Sequence, residues 1–342
     1  MNENYTNTTH QVATIELTAA EIGHLFTTYL SNTMSRCVLT YFVQTSNDAD
    51  TKAIAETSLQ ITNDIIDKIK DIYKSVNHPI PQGFTDNDIN LKADKLFSDS
   101  FVLNYLRFNQ QFSLINYSNA LAESARDDVR AFFSHSLDVA RELYNKVQDV
   151  LLSKGLFIRP PTIPIPDQIG YVHKQSYMSG FLGEKRPINA VEIAHIYSTI
   201  ETNLIGDITS LAFAQVVKDE RIKKQCFRGS IISRNHIEAF SKLLEKDYLN
   251  APVSWNISIS KSTESPFSDK LITFHMSTLS AFGLGRYGLS ASQCTRKDIP
   301  LLFLRAGAET TQYAKDWLDI MLDNGWLERI PEAADRKEII GV

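Results

Sequence analysis

Residues 20–29 read AEIGHLFTTY, and residues 191–200 read VEIAHIYSTI. The two stretches share the order Glu-Ile-x-His, then an apolar residue every three or four positions, which is the spacing of one buried helix face. They lie 171 residues apart, and the same register runs on through the chain. Pro81 pairs with Pro252, Phe97 in FSDSF with Phe267 in FSDKL, Arg126 and Asp128 with Arg296 and Asp298, Gly155 with Gly325, and Pro161 with Pro331. So many ordered matches, with about one residue of slippage, identify an internal duplication, and self-similarity of this kind decides the fold before any single element is read.

Each copy reads as four amphipathic helices. In the second copy the first helix carries Ile193, Tyr197, Ile200, Leu204, Ile208 and Leu211. The second carries Ile222, Cys226, Ile237, Phe240 and Leu244; the third starts near PFSDKL and runs toward Phe282; the fourth carries Ile299, Phe303, Tyr313, Trp317 and Met321. It stops at Asn324-Gly325, a C-terminal cap signal. The fold class is therefore all-α, with two tandem four-helix bundles. The expected division is a disordered tail at 1–16, a first bundle at 17–156, a linker at 157–188, a second bundle at 189–332 and a C-terminal tail at 333–342. The linker opens as RPPTIPIPD, a stiff polyproline-like stretch. It continues as QIGYVHKQSYMSGFLGEKR, aromatic enough to predict packing on one or both bundles. The second-to-third connection is too long in both copies for a tight turn and is expected to cross the end of a bundle or cover a face.

Lys and Arg number 35 against 40 Asp and Glu, for a formal net charge of -5, and no basic run stands out. That balance argues against nucleic acid or an anionic membrane as partner. No apolar run reaches the length of a membrane span. The three cysteines, Cys37, Cys226 and Cys294, form no CxxC and fall at no matching positions, so they read as reduced packing residues. The N-terminal residues lack the basic and apolar regions of a signal peptide. The expected compartment is the cytoplasm or a structure assembled inside the cell.

The repeated Glu-x-x-His, Glu21 with His24 and Glu192 with His195, has a metal-ligand spacing. Yet Thr18 and Asn189 stand three residues before each glutamate, and that pattern is a capping box. On a helical wheel His195 also falls roughly 160° from the core direction. A stronger metal candidate lies in the second copy. His236 and His275 fall within apolar stripes where the first copy has Ile65 and Tyr105, and Asp207 and Glu309 flank the stripes of neighbouring helices. Two imidazoles and two carboxylates from four helices suit iron, manganese or zinc; hydrogen-bonded core histidines are the competing account. Any chemistry is expected in the second copy, with the first as scaffold. Phe-Ser-Asp reads as the cap of each third helix, and Gly283-Leu284-Gly285 as a turn too short to cradle phosphate. No nucleophile paired with a base stands out, so no catalytic residue is assigned.

The ordered motifs AEI, GFTDNDIN, FSD, R-x-D, KG–RPP, RP–EI–H, QV-K, PFSDKL and NGW resemble a family from spore-forming bacilli known as domain of unknown function 3231, some of whose members are called spore-coat-like. The resemblance covers nearly the whole chain. It implies ferritin-like bundles and a lineage, and it supplies no established activity. The expected function is that of a noncatalytic structural or interaction protein without a cofactor, spore-associated and with protein partners or self-association; the alternatives are a metal-binding ferritin-like protein using the second bundle and a pocket for an apolar ligand between the bundles. Asn235 departs from the pattern, where lysine is expected before His236.

Overall fold

The computed structural model describes residues 15–181, 184–252 and 258–341. Eight long helices stand among them: α1 (Ala19–Thr45), α2 (Ala49–Ser75), α3 (Asp99–Glu123), α4 (Asp127–Ser153), α5 (Ala190–Val216), α6 (Glu220–Lys246), α7 (Asp269–Gln293) and α8 (Asp298–Asp323). Each is close to 40 Å long at about 1.5 Å per residue. They form two four-helix bundles, α1–α4 and α5–α8, as the duplication predicts. A short helix, α9 (Arg336–Ile340), occupies the expected C-terminal tail. All but two residues of the expected N-terminal tail lie outside the described residues.

The repeated capping residues do more than start a helix. Thr18 Oγ1 accepts from the Glu21 amide, and Glu21 Oε2 accepts from the Thr18 amide. The other carboxylate oxygen of Glu21 accepts from the amides of Ala125 and Arg126, at the start of α4. Glu192 repeats the arrangement with Asn189, Thr295 and Arg296. One buried carboxylate thus satisfies free N–H groups at two helix starts, where negative charge is favoured. The arginine that opens each fourth helix braces the loop before the first: Arg126 donates to the Ile15 carbonyl and Arg296 to the Arg186 carbonyl. At the other end of each bundle, Gly155 and Gly325 take the left-handed conformation with φ of 65° and 66°.

Two readings of the sequence need correction. Gly283-Leu284-Gly285 is not a turn but lies inside α7, which runs on past Phe282 to Gln293. Its continuing face, with Tyr287 and Ser290, stays buried, so tertiary burial overrides the weak helix propensity of glycine. The linker also packs only in part. Ile165, Ile169 and Tyr171 are 94%, 91% and 91% exposed. Its later part docks on the second bundle: the Met178 carbonyl accepts from the Lys297 amide, and the Arg186 guanidinium lies 4.1 Å over the Tyr177 ring.

The two bundles meet along their second-to-third connections and α3 and α7. Ile89 bridges Phe267, and Phe97 bridges Ile259, both antiparallel. The flanking amides repeat the exchange: Asn90 donates to Pro266 and Ser260 to Leu96, Ser268 donates to Asp88 and Ser98 to Ser258. Each of these backbone contacts has its counterpart with the two copies interchanged, which is the signature of a two-fold axis. The angle between bundles is therefore set here, rather than by the linker. One apolar core runs across this junction, from Met34 and Phe42 through Phe101 and Phe213 to Trp317. Each bundle keeps a separate apolar cluster at its far end, around Tyr73 and Phe133 in one and Phe240 and Phe303 in the other.

Candidate functional site

The structure distributes the four residues of the predicted metal set over three places. His236 on α6 sits in the core of the second bundle, where its Nδ1 lies 2.8 Å from the Tyr287 hydroxyl and its Nε2 3.1 Å from Glu309. The Tyr287 hydroxyl in turn donates to Asn203. Four helices each contribute one member of this network. Burial lowers the His236 pKa, and Glu309 opposes the shift. Asp207 is turned elsewhere, accepting from Ser230 and paired with Arg234. His275 lies at the junction between the bundles. Among the described residues, no three His, Cys, Asp or Glu side chains are grouped so that they could hold a metal ion. His236 and Glu309 are the only members of the predicted set that the structure joins by a hydrogen bond among the described residues.

His275 faces its own counterpart. Its Nε2 lies 2.8 Å from the hydroxyl of Tyr105, the equivalent residue of the first copy. The ring is 2% exposed, and its Nδ1 is buried without a hydrogen-bond partner. Burial alone pulls its pKa down to about 4, so the imidazole is neutral at neutral pH.

This pair opens onto a cavity of about 130 Å3. The cavity straddles the junction: His275, Thr278, Leu279 and Phe282 from α7 face Tyr105, Phe108, Asn109 and Phe112 from α3. It then extends into the first bundle past Asn32, Ser58, Thr62 and Ser136. A groove between α2 and α4, about 510 Å3 in volume, shares Ile61, Ile65, Ser136 and Val139 with it. The matching space of the second bundle is smaller, about 60 Å3. There Tyr313 replaces Leu143 and spreads over Gly229, which stands where the first copy has Ser58. The larger opening therefore belongs to the copy expected to be mere scaffold.

An ion pair beside the junction also escaped the sequence reading. Arg107 of α3 donates to Glu201 of α5 at 2.6 Å. Burial raises the Glu201 pKa, although Arg107 and Arg286 pull it down. Charged residues at these stations have uncharged counterparts in the other copy, Ser277 for Arg107, Leu30 for Glu201 and Asn116 for Arg286. That divergence was the available signal. The three cysteines are free and buried, as expected.

Among solved structures, one from Bacillus halodurans C-125 described as a "putative spore coat protein" is 20% identical, with a TM-score of 0.40, over 44% of this chain and 98% of its own. No curated protein matches. The family model described as "Protein of unknown function (DUF3231)" matches residues 7–169 and again residues 176–339. The chain belongs to the DUF3231 family and carries that family's unit twice in tandem.

Proposed function

We propose that this protein is a noncatalytic structural component that works by binding protein partners or further copies of itself, in association with the spore. The observation that carries this reading is the exposed apolar run of the linker. Ile165, Ile169 and Tyr171 stand almost wholly in solvent between two firmly packed bundles. Isolated exposed apolar residues are ordinary, but several on one short segment mark an interaction site. Prolines at 160, 161, 164 and 166 hold the start of that segment extended, which lowers the entropy lost when it docks. Inside the second bundle, His236 is meanwhile tied to Tyr287 and Glu309, and Asp207 to Arg234. The spore setting comes from the resemblance to spore-coat-like family members. No helix among the described residues is long and apolar enough to cross a membrane.

The test is a triple variant, Ile165→Ser with Ile169→Ser and Tyr171→Ser. Sedimentation across a concentration series should show association by the parent chain and its loss in the variant, with unchanged helix content. A fluorescent fusion should follow the spore in the parent and spread through the mother cell in the variant. Identical sedimentation and identical distribution of the two chains would refute the proposal.

A further inference from the structure

The cavity at the junction has three properties that together describe a ligand. The first is its size. A water takes up about 30 Å3 of the liquid, so about 130 Å3 holds roughly four waters or one small ring, much as an apolar cavity of about 150 Å3 holds benzene. The second is its wall. Phe108, Phe112 and Phe282 form one apolar side, and the Phe282 ring meets Phe108 edge-on at 4.9 Å and Phe112 at 5.2 Å. Such a wall accepts another ring in the offset or edge geometries that aromatic pairs favour.

The third is its polar lining. The Ser58 and Ser136 hydroxyls donate to Ile54 and Phe132 of their own helices. What each can still offer the cavity is an oxygen lone pair. His275 adds a buried nitrogen with no partner. An orphaned polar atom at that depth costs free energy unless something in the cavity satisfies it. Because Tyr105 can either donate to or accept from the other ring nitrogen, the free nitrogen can take either role. No Asp, Glu, Lys or Arg lines the cavity, and its second histidine, His24, is already paired with Glu123, so an ionised ligand would be desolvated without a free counter-charge.

We infer that this cavity binds a neutral aromatic molecule bearing a hydroxyl group, with the ring against Phe108, Phe112 and Phe282 and the hydroxyl on His275 and the serine oxygens. The second bundle serves as an internal contrast. There Tyr313 and Thr310 occupy the space that Leu143 and Ala140 leave open in the first.

Three probes of one shape test the assignment on the full chain by ligand-observed NMR titration: benzyl alcohol, toluene and benzoate. Benzyl alcohol should bind saturably, toluene about tenfold more weakly for want of a hydrogen bond, and benzoate more weakly still. His275→Phe should reduce benzyl alcohol to the level of toluene. Ser136→Leu should abolish binding of both by filling the cavity. If that variant fails to fold, Ala140→Thr, which copies the residue found in the second bundle, should weaken both. Absence of saturable benzyl alcohol binding would mean that the cavity holds water only and would overturn the inference. So would equal affinity for benzyl alcohol and toluene, or affinities indifferent to His275→Phe and Ala140→Thr.

Discussion

His275 makes the fold acid-sensitive by a calculable amount. Its imidazole is deeply buried, and burial lowers its folded-state pKa from the ordinary 6.5 to about 4. As pH falls, the unfolded chain therefore takes up this proton first. The stability contributed by keeping the ring neutral is complete above about pH 6.5 and is lost as pH drops toward 4. One pKa unit corresponds to about 1.4 kcal/mol, so the whole interval is worth on the order of 3 kcal/mol, of which about 2 kcal/mol is gone by pH 5. His275→Phe removes the titration while keeping a ring of similar size. It leaves the Tyr105 hydroxyl without its partner, at a pH-independent cost of about 1–3 kcal/mol. The same change removes the unpartnered Nδ1, a gain of similar size, so the two chains should be of comparable stability at pH 7.5, and the parent should lose about 2 kcal/mol relative to the variant at pH 5. Urea unfolding followed by circular dichroism at both pH values measures the two differences directly. A difference that stays constant between pH 7.5 and pH 5 would show that His275 titrates alike in the folded and the unfolded chain, and the account of its burial would fail.

Glu192 should prove among the least replaceable residues. It is fully buried, and although burial pushes its carboxyl up, Arg186 and the amides of Asn189 and Arg296 hold it down at about 2. Glu192→Gln leaves Arg186 without its charge partner and should cost about 3–5 kcal/mol in thermal or urea unfolding, far more than Glu123→Gln at the exposed His24 contact. Gly229→Ala would drive a methyl group into the Tyr313 hydroxyl and to 2.9 Å from Ser210 Oγ; the expected loss is about 1–3 kcal/mol. Most of it should vanish in a Tyr313→Leu background, a coupling that a double-mutant cycle measures. Zinc or manganese added to tag-free protein should show no stoichiometric uptake that depends on His236, because both of its ring nitrogens already have protein partners; uptake abolished by His236→Gln would contradict this.

The duplication made most of the architecture legible. Two copies of one periodic pattern supplied helix number, stripe residues and caps, and Thr18, Asn189 and Gly325 end their helices in the way their chemistry dictates. The same alignment singled out His236 and His275 as departures from the first copy. It could not show that one would join a hydrogen-bonded network inside its own bundle while the other crossed to Tyr105, because periodicity fixes the face of a helix and not the height of its neighbour. The junction itself stayed hidden for a related reason: Ile89 and Phe97 look like any apolar residues of a polar loop, and nothing local says that they will pair with Phe267 and Ile259. The linker misled through composition, since aromatic content favours burial without guaranteeing a surface to bury against. Nothing in the sequence marks Ser58 and Ser136; only the surrounding empty volume gives them meaning.

The reciprocal bridging of the two connections carries a consequence for how such a molecule can change. When two identical subunits meet on a two-fold axis, each residue on that axis meets itself, and any substitution alters both sides together. Covalent fusion removes that constraint while holding the halves at an effective concentration that dilution cannot lower. The chain uses that freedom where Tyr105 meets His275: one side carries a phenol and the other an imidazole. The junction can thus hold a mismatched pair that a symmetric assembly of single units has no means of encoding.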